Sequence, residues 1–108
     1  MALELTDQNF GQEIKQFKGV ALVDFWAPWC GPCKMQGSII EELAEALKGQ
    51  SNVKITKLNV DDNQAISGEF QIMSIPTLKI FKDGQEVENM IGLQGKEALL
   101  ALINKHSK

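Results

Sequence analysis

The run Val20-Ala-Leu-Val-Asp-Phe-Trp26 limits the folds open to this chain more than any other segment. Every position but Asp24 is apolar, which is too uniform for a strand with one wet face. It reads as a strand covered on both sides, so it calls for a sheet between layers of helix. The rest of the sequence supplies those layers. Leu3 and Leu5 alternate with polar residues and predict a short first strand. Thr6-Asp7 reads as a helix N-cap, Phe10, Ile14 and Phe17 follow at helical spacing, and Gly19 stops that helix. After the central run, Ala27-Pro28-Trp29 breaks the strand. A long helix is predicted from near Pro32 to Gly49, with Ile39, Ile40, Leu43, Ala44 and Leu47 inward and Glu41, Glu42 and Glu45 on its wet face.

Val53 to Val60 is the next strand, and a short helix covers Gln64 to Phe70. Ile75-Pro76-Thr77 leads into a strand from Leu78 to Phe81. Asp83-Gly84 signals a hairpin, Val87 to Ile91 returns, and Gly92 breaks the return strand. Lys96 to Lys105 closes the chain as a helix with Leu99, Leu102 and Ile103 inward. The predicted order is β-α-β-α-β-α-β-β-α. Early alternation implies parallel pairing and the late hairpin antiparallel pairing. The expected class is α/β, a mixed central sheet with helices on both faces, in a single domain over residues 1–108.

Charge excludes several functions. The net charge is -3, and all 11 basic residues are lysine. No basic stripe can neutralise a nucleic-acid backbone, and no arginine fork is available for phosphate. No apolar run is long enough to span a membrane. The start, Met1-Ala-Leu-Glu-Leu-Thr-Asp7, lacks the basic and apolar regions of a secretory signal, so a cytoplasmic protein is expected; a monomer is the expected state.

Chemistry concentrates in Trp29-Cys30-Gly31-Pro32-Cys33. Two cysteines would fall three apart by chance on the order of a few per cent of the time. The pair lies where a buried strand turns into a helix, and a helix N-terminus stabilises a thiolate. Lys34 adds a positive charge nearby. Cys30, at the cap, is expected to face solvent and act as nucleophile. Cys33, one turn in and shielded by Pro32, is expected to resolve the mixed disulfide. A structural staple would be a poor one, because so short a loop constrains the unfolded chain little. A zinc site would need two further ligands, with only His106 and carboxylates on offer. Inert, buried cysteine is the third alternative. His106 itself is expected to take no part in chemistry.

These residues have company. Val-Asp-Phe-Trp-Ala at 23–27, Trp-Cys-Gly-Pro-Cys-Lys at 29–34, Lys-Leu-Asn-Val-Asp at 57–61, Ser-Ile-Pro-Thr-Leu at 74–78, Phe-Lys-Asp-Gly at 81–84 and Gly92 together resemble the thioredoxin family along nearly the whole chain. The resemblance implies a thioredoxin fold and a thiol-disulfide oxidoreductase that reduces protein disulfides. It implies a cis bond before Pro76, facing the sulfurs; from the residues alone, a trans proline opening a strand stands beside that reading. It makes Asp24 a buried proton carrier for Cys33 and Lys57 its partner, where the strand alone would equally allow a solvent-facing Asp24. Trp26 is expected beneath the site. Gly31 and Pro32 between the cysteines resemble reducing members, while oxidising relatives more often carry histidine there. Trp29, Val60, Ser74, Ile75, Pro76, Ile91, Gly92 and Leu93 match the rim that receives substrates, although Val60 and Ile91 would serve equally as core.

The family pattern further implies no cofactor or metal beyond the Cys30–Cys33 disulfide. It implies recharging by a flavin- and NADPH-dependent thioredoxin reductase. The clients implied are ribonucleotide reductase, methionine sulfoxide reductases and peroxiredoxins. The chain departs from the pattern at Gln36-Gly37-Ser38, where many members have a helix proline, at Gln64, and at Ser74.

Overall fold

The apolar run becomes the middle strand of a five-stranded sheet. The computed structural model describes residues 1–107. Its strands are β1 (Leu3–Leu5), β2 (Val20–Trp26), β3 (Val53–Asn59), β4 (Thr77–Lys82) and β5 (Gln85–Ile91), in the spatial order β1-β3-β2-β4-β5. β3 runs parallel to both β1 and β2, whereas β4 is antiparallel to β2 and to β5. The mixed sheet predicted from the element order is the one observed.

Helices cover both faces, and strand alternation decides which side chains meet which layer. Val20 and Leu22 of β2 pack with Ile40, Leu43, Leu99 and Ile103 from α1 (Gly31–Leu47) and α3 (Lys96–His106). Ala21, Val23 and Phe25 point the other way, onto Phe10, Ile14, Leu58 and Ile66. Phe10, Phe70 and Phe81 form an aromatic cluster on that second face, with ring centroids 5.4 to 5.9 Å apart. α2 (Gln64–Glu69) closes this side.

The first predicted helix is the largest departure. Residues Gly11–Lys15 form a short π-helical turn, with Gln16 N donating to Gly11 O at 3.0 Å. Thr6 does cap its entry: Asn9 N donates to Thr6 Oγ1 and Thr6 N donates to Asn9 Oδ1. The wider turn still buries Phe10 and Ile14, so the apolar spacing predicts which side chains enter the core but not the winding that carries them. Elsewhere the predicted bounds shift by one or two residues. The Asp83-Gly84 hairpin forms with φ of 51° and 84°, the left-handed pair of a type I′ turn. A Cβ on Gly84 would run into the Lys15 carbonyl, so glycine is required there on two counts.

Asp7 contributes at a distance. Its carboxylate accepts from Ile66 N at 2.9 Å and Ala65 N at 3.3 Å, capping α2 from the loop that follows the neighbouring parallel strand β1. Asn63, the residue before α2, makes no side-chain cap of its own; its Oδ1 accepts from Asp7 N. Replacing Asp7 with alanine is therefore expected to lower stability by about 1–2 kcal/mol, the usual worth of a helix cap. Urea unfolding of Asp7→Ala checks this; an unchanged midpoint would show that α2 does not depend on that cap.

Candidate active site

The sheet register gathers the site. Phe25 pairs with Thr77, Trp26 with Asn59, and Thr77 with Ile91. The carboxyl ends of β2, β3 and β5 and the start of β4 therefore meet at one edge. Residues 27–30, 60–61, 74–76 and 91–93 leave the sheet there, side by side.

Cys30 is the N-cap of α1, with extended backbone at φ -88° and ψ 115°. Its Sγ accepts from Cys33 N at 3.3 Å, where a cap serine or aspartate would offer oxygen. Pro32 fills the first turn, where its missing N–H is no loss. Cys30 and Cys33 are joined as a disulfide, with Cα atoms 5.3 Å apart. Cys30 is 5% exposed and Cys33 3%. The expected contrast between an outward and a shielded sulfur is thus nearly absent in this oxidised form. Ile75 O lies 3.8 Å from Cys30 Sγ and helps cover it. Gly31 and Pro32 are exposed, and no atom lies within 4 Å of where a Gly31 side chain would begin. Packing within the chain does not demand glycine there.

The Ile75–Pro76 peptide is cis. Pro76 is buried, Ile75 half-buried and Ser74 exposed. Thr77 Oγ1 donates to Ser74 O at 2.6 Å, and Gly92 N donates to Pro76 O at 2.8 Å, which ties the end of β5 to this segment. Trp29 is 71% exposed, with its indole N–H donating to Asp61 Oδ2 at 2.9 Å. Ile91 and Leu93 are also exposed. Val60 is half-buried against the second core, its N–H held by Trp26 O at 2.8 Å. Met73, which the sequence reading passed over, is 92% exposed and shares a groove with Ser74 and Ile91. A methionine in the irregular stretch between α2 and β4 follows no helical or strand periodicity that would mark it.

Beneath the disulfide lies a cleft of about 320 Å³, lined by Asp24, Trp26, Ala27, Pro28, Cys33, Lys34, Gly37 and Lys57. Asp24 is buried, and burial pushes its carboxyl from the ordinary 3.8 up to about 7, against a partial opposing pull from Lys57. Among the described residues, neither Asp24 Oδ1 nor the Trp26 indole N–H has a hydrogen-bond partner. Lys57 stands opposite Asp24 in the ladder, yet its ammonium pairs with Glu41 at 3.2 Å and Glu4 at 3.4 Å. It also lies 5.7 Å from the Trp26 ring. The sequence predicts Glu41 on the wet face of α1 and assigns Glu4 no role. Their hold on Lys57 joins α1 to β1 through long-range contacts that no local pattern announces.

Gln36 is the other residue missed. It is buried in α1, one turn beyond Cys33, and bonds to the Gln94 backbone. Gly37 and Ser38 do not interrupt the helix, which runs unbroken to Leu47. His106 sits apart from the sulfurs in sequence and topology, its Nε2 2.8 Å from Glu88 Oε2 at the junction of α3 and β5. Among the described residues no helix is long and apolar enough to cross a membrane, and no three metal-binding side chains converge.

Comparison with known proteins agrees with this geometry. The family model named Thioredoxin matches residues 1–105. The thioredoxin of Bacillus subtilis (strain 168) is 49% identical over 104 residues, covering 96% of each chain. That of Rickettsia felis is 49% identical over 105 residues, covering 97% of this chain and 98% of its own. Among solved structures, a mutant thioredoxin from Halobacterium salinarum NRC-1 superposes with a TM-score of 0.86 at 36% identity, covering 99% of this chain and 91% of the other. Thioredoxins act by thiol-disulfide exchange through a Cys-x-x-Cys pair, which Cys30 and Cys33 supply. With relatives half identical along almost their entire length, this chain belongs to the thioredoxin family of protein disulfide oxidoreductases.

Proposed function

We propose that the protein is a cytoplasmic electron donor in which Cys30 attacks and Cys33 resolves. The observation that carries this is the position of Cys30 as the cap of α1, with the Cys33 N–H directed at its sulfur at 3.3 Å. When the pair is reduced, that N–H and the helix terminus favour the Cys30 thiolate. The thiolate attacks one sulfur of a client disulfide. A Cys30–client bond forms, the client disulfide breaks, and the departing client thiolate takes a proton. Cys33 then gives its proton to the Asp24 carboxylate and attacks Cys30 Sγ. The mixed disulfide breaks, the second client thiolate leaves, and Cys30–Cys33 is oxidised. Two electrons pass to the client.

Asp24 suits this role because burial brings its carboxyl to about 7, so both protonation states are populated near neutral pH. Lys57, sharing the cleft, moderates that shift. The exposed apolar side chains of Trp29, Ile91 and Leu93, with Val60, Ile75 and Gly92 between them, offer a small surface for varied clients. Ser74 and Ile75, ahead of Pro76, present backbone for an extended client segment. Gly31 and Pro32 keep the approach to the sulfurs low. Trp26 walls the cleft below. Thioredoxins normally work with thioredoxin reductase and protein disulfides. For this chain we assign a flavin- and NADPH-dependent reductase as electron source, with ribonucleotide reductase, methionine sulfoxide reductases and peroxiredoxins as clients. It acts as a single-domain monomer without a further cofactor.

Cys33→Ser should trap clients on Cys30 as stable mixed disulfides, and Cys30→Ser should trap none. Capture from lysate under non-reducing conditions, read by mass spectrometry, tests the assignment. Equal trapping by the two variants would abolish the assigned roles, and trapping by Cys30→Ser alone would reverse them.

Asp24→Asn should slow resolution of a preformed mixed disulfide about a hundredfold at neutral pH, the low end of the range for a lost proton acceptor. The wild-type rate should rise with pH through about 7 as the carboxylate forms. The variant should lose that inflection. Stopped-flow measurement across pH decides; matching profiles would remove Asp24 from the mechanism.

Stability carries an independent sign. Asp24 has a raised folded pKa, so the native state holds its proton more tightly than the unfolded chain does. Its contribution is complete below about pH 4, is lost progressively as pH rises to about 7, and stays level above that, at roughly 1.4 kcal/mol per pH unit across the window. Asp24→Asn should therefore unfold at higher denaturant than wild type at pH 8, with the difference shrinking toward pH 4. A difference that does not vary with pH would contradict the buried, protonated carboxyl.

A further inference from the structure

Among the buried residues of α1, Gln36 alone carries a side-chain amide. It is fully buried. Its Nε2 donates to Gln94 O at 3.1 Å, and its Oε1 accepts from Gln94 N at 2.7 Å. Both edges of one amide are thus spent on the backbone of one residue. Gln94 lies in the irregular segment between β5 and α3. That segment has a second anchor: Gly92 N donates to Pro76 O at 2.8 Å, and Gln94 Nε2 reaches back to Gly92 O at 3.3 Å. Leu93 stands between the two anchors and is exposed. One anchor is the segment facing Cys30, and the other is the helix that bears Cys33.

A buried amide persists only where its hydrogen bonds are met. An apolar side chain of similar length would fill the same space without that requirement. Packing α3 onto α1 does not need it either, since Leu99 and Ile103 supply buried apolar contact there. What the amide adds is a fixed position for the backbone at 94. We infer that Gln36 is a positioning residue for client binding: its paired hydrogen bonds to Gln94 set where Leu93 stands on the rim relative to the Cys30–Cys33 pair. The inference rests on the reading that this rim receives the client. A small disulfide needs only the sulfurs, so it should not sense the clip. A folded protein client, which lies across the rim, should.

The test compares wild type with Gln36→Met and, in parallel, Leu93→Asp. Dithiothreitol-driven reduction of insulin is followed alongside reduction of hydroxyethyl disulfide. Gln36→Met should raise the KM for insulin about three- to tenfold, the factor equivalent to one ordinary hydrogen bond, while kcat and the small-disulfide rate stay within about twofold. Amide exchange at Gln94 should quicken. If both disulfides react more slowly by the same factor, the residue acts on the redox pair or on folding in general, and the inference fails. If Leu93→Asp raises the insulin KM and Gln36→Met does not, the rim reading stands and the Gln36 inference falls. If neither variant raises it, the rim reading falls first and takes this inference with it. Wild-type exchange gives a check that does not depend on the variant folding: a Gln94 amide exchanging as fast as an exposed loop amide would mean that the clip does not hold in solution.

Discussion

Burial of β2 on both faces sets the terms for everything around it. The strand pairs with β3 on one side and β4 on the other, so its backbone groups are spent in two ladders. Its side chains enter two separate cores. Asp24 is the one charged residue in that strand, buried behind the cleft beneath the disulfide. Desolvation then decides its state, since the attraction of Lys57 offsets only part of the cost. A polar group left unpartnered in a low dielectric lowers stability. Retaining one in the most buried strand is the kind of compromise found at functional sites.

The same strand decides where the site forms. Because β3 is parallel to β2 and β4 is antiparallel, the end of β2 meets the end of β3 and the beginning of β4. β5, antiparallel to β4, brings its own end to the same edge. Segments from four distant stretches of sequence thus converge without any of them being long. α1 starts from this edge, so its N-terminus faces the convergence. Cap, cis-proline segment and rim are consequences of one topology, and the hydrogen bonds Gly92 N to Pro76 O and Val60 N to Trp26 O close the loops against each other.

How much of this could be read from the sequence depends on the range of the interaction involved. The uniform apolar run, the Asp83-Gly84 turn and the Cys-Gly-Pro-Cys cap are local signals, and each gives the element expected of it. Phe10 and Ile14 are placed in the core by their spacing, but the π winding of Gly11–Lys15 is a backbone hydrogen-bond choice that side-chain spacing does not report. Asp7 looks like a cap for the helix beside it and instead caps α2, 58 and 59 residues away. Gln36 looks like a substitute for a helix-bending residue, and its bonding to Gln94 depends on a segment 58 residues distant. The low exposure of Cys30 depends on Ile75, whose carbonyl lies 3.8 Å from the sulfur and is contributed by a loop 45 residues away.

Lys57 shows why such long-range choices matter to chemistry. An ammonium within about 4 Å of a carboxylate lowers its pKa by roughly 1–3 units. Paired directly with Asp24, Lys57 would keep that carboxylate ionised and make it a weak base at neutral pH. Glu41 and Glu4 draw the ammonium to themselves instead. Glu41 is in turn fixed by the Ala2 N–H at 2.8 Å, which helps hold its own carboxyl below the usual range and so keeps it charged and attractive to lysine. The first residues of the chain, the outer face of α1 and the third strand thereby hold a positive charge beside Asp24 without letting it neutralise Asp24. Burial sets the high proton affinity of the carboxyl, and the place where that lysine is anchored limits how far the opposing charge can lower it.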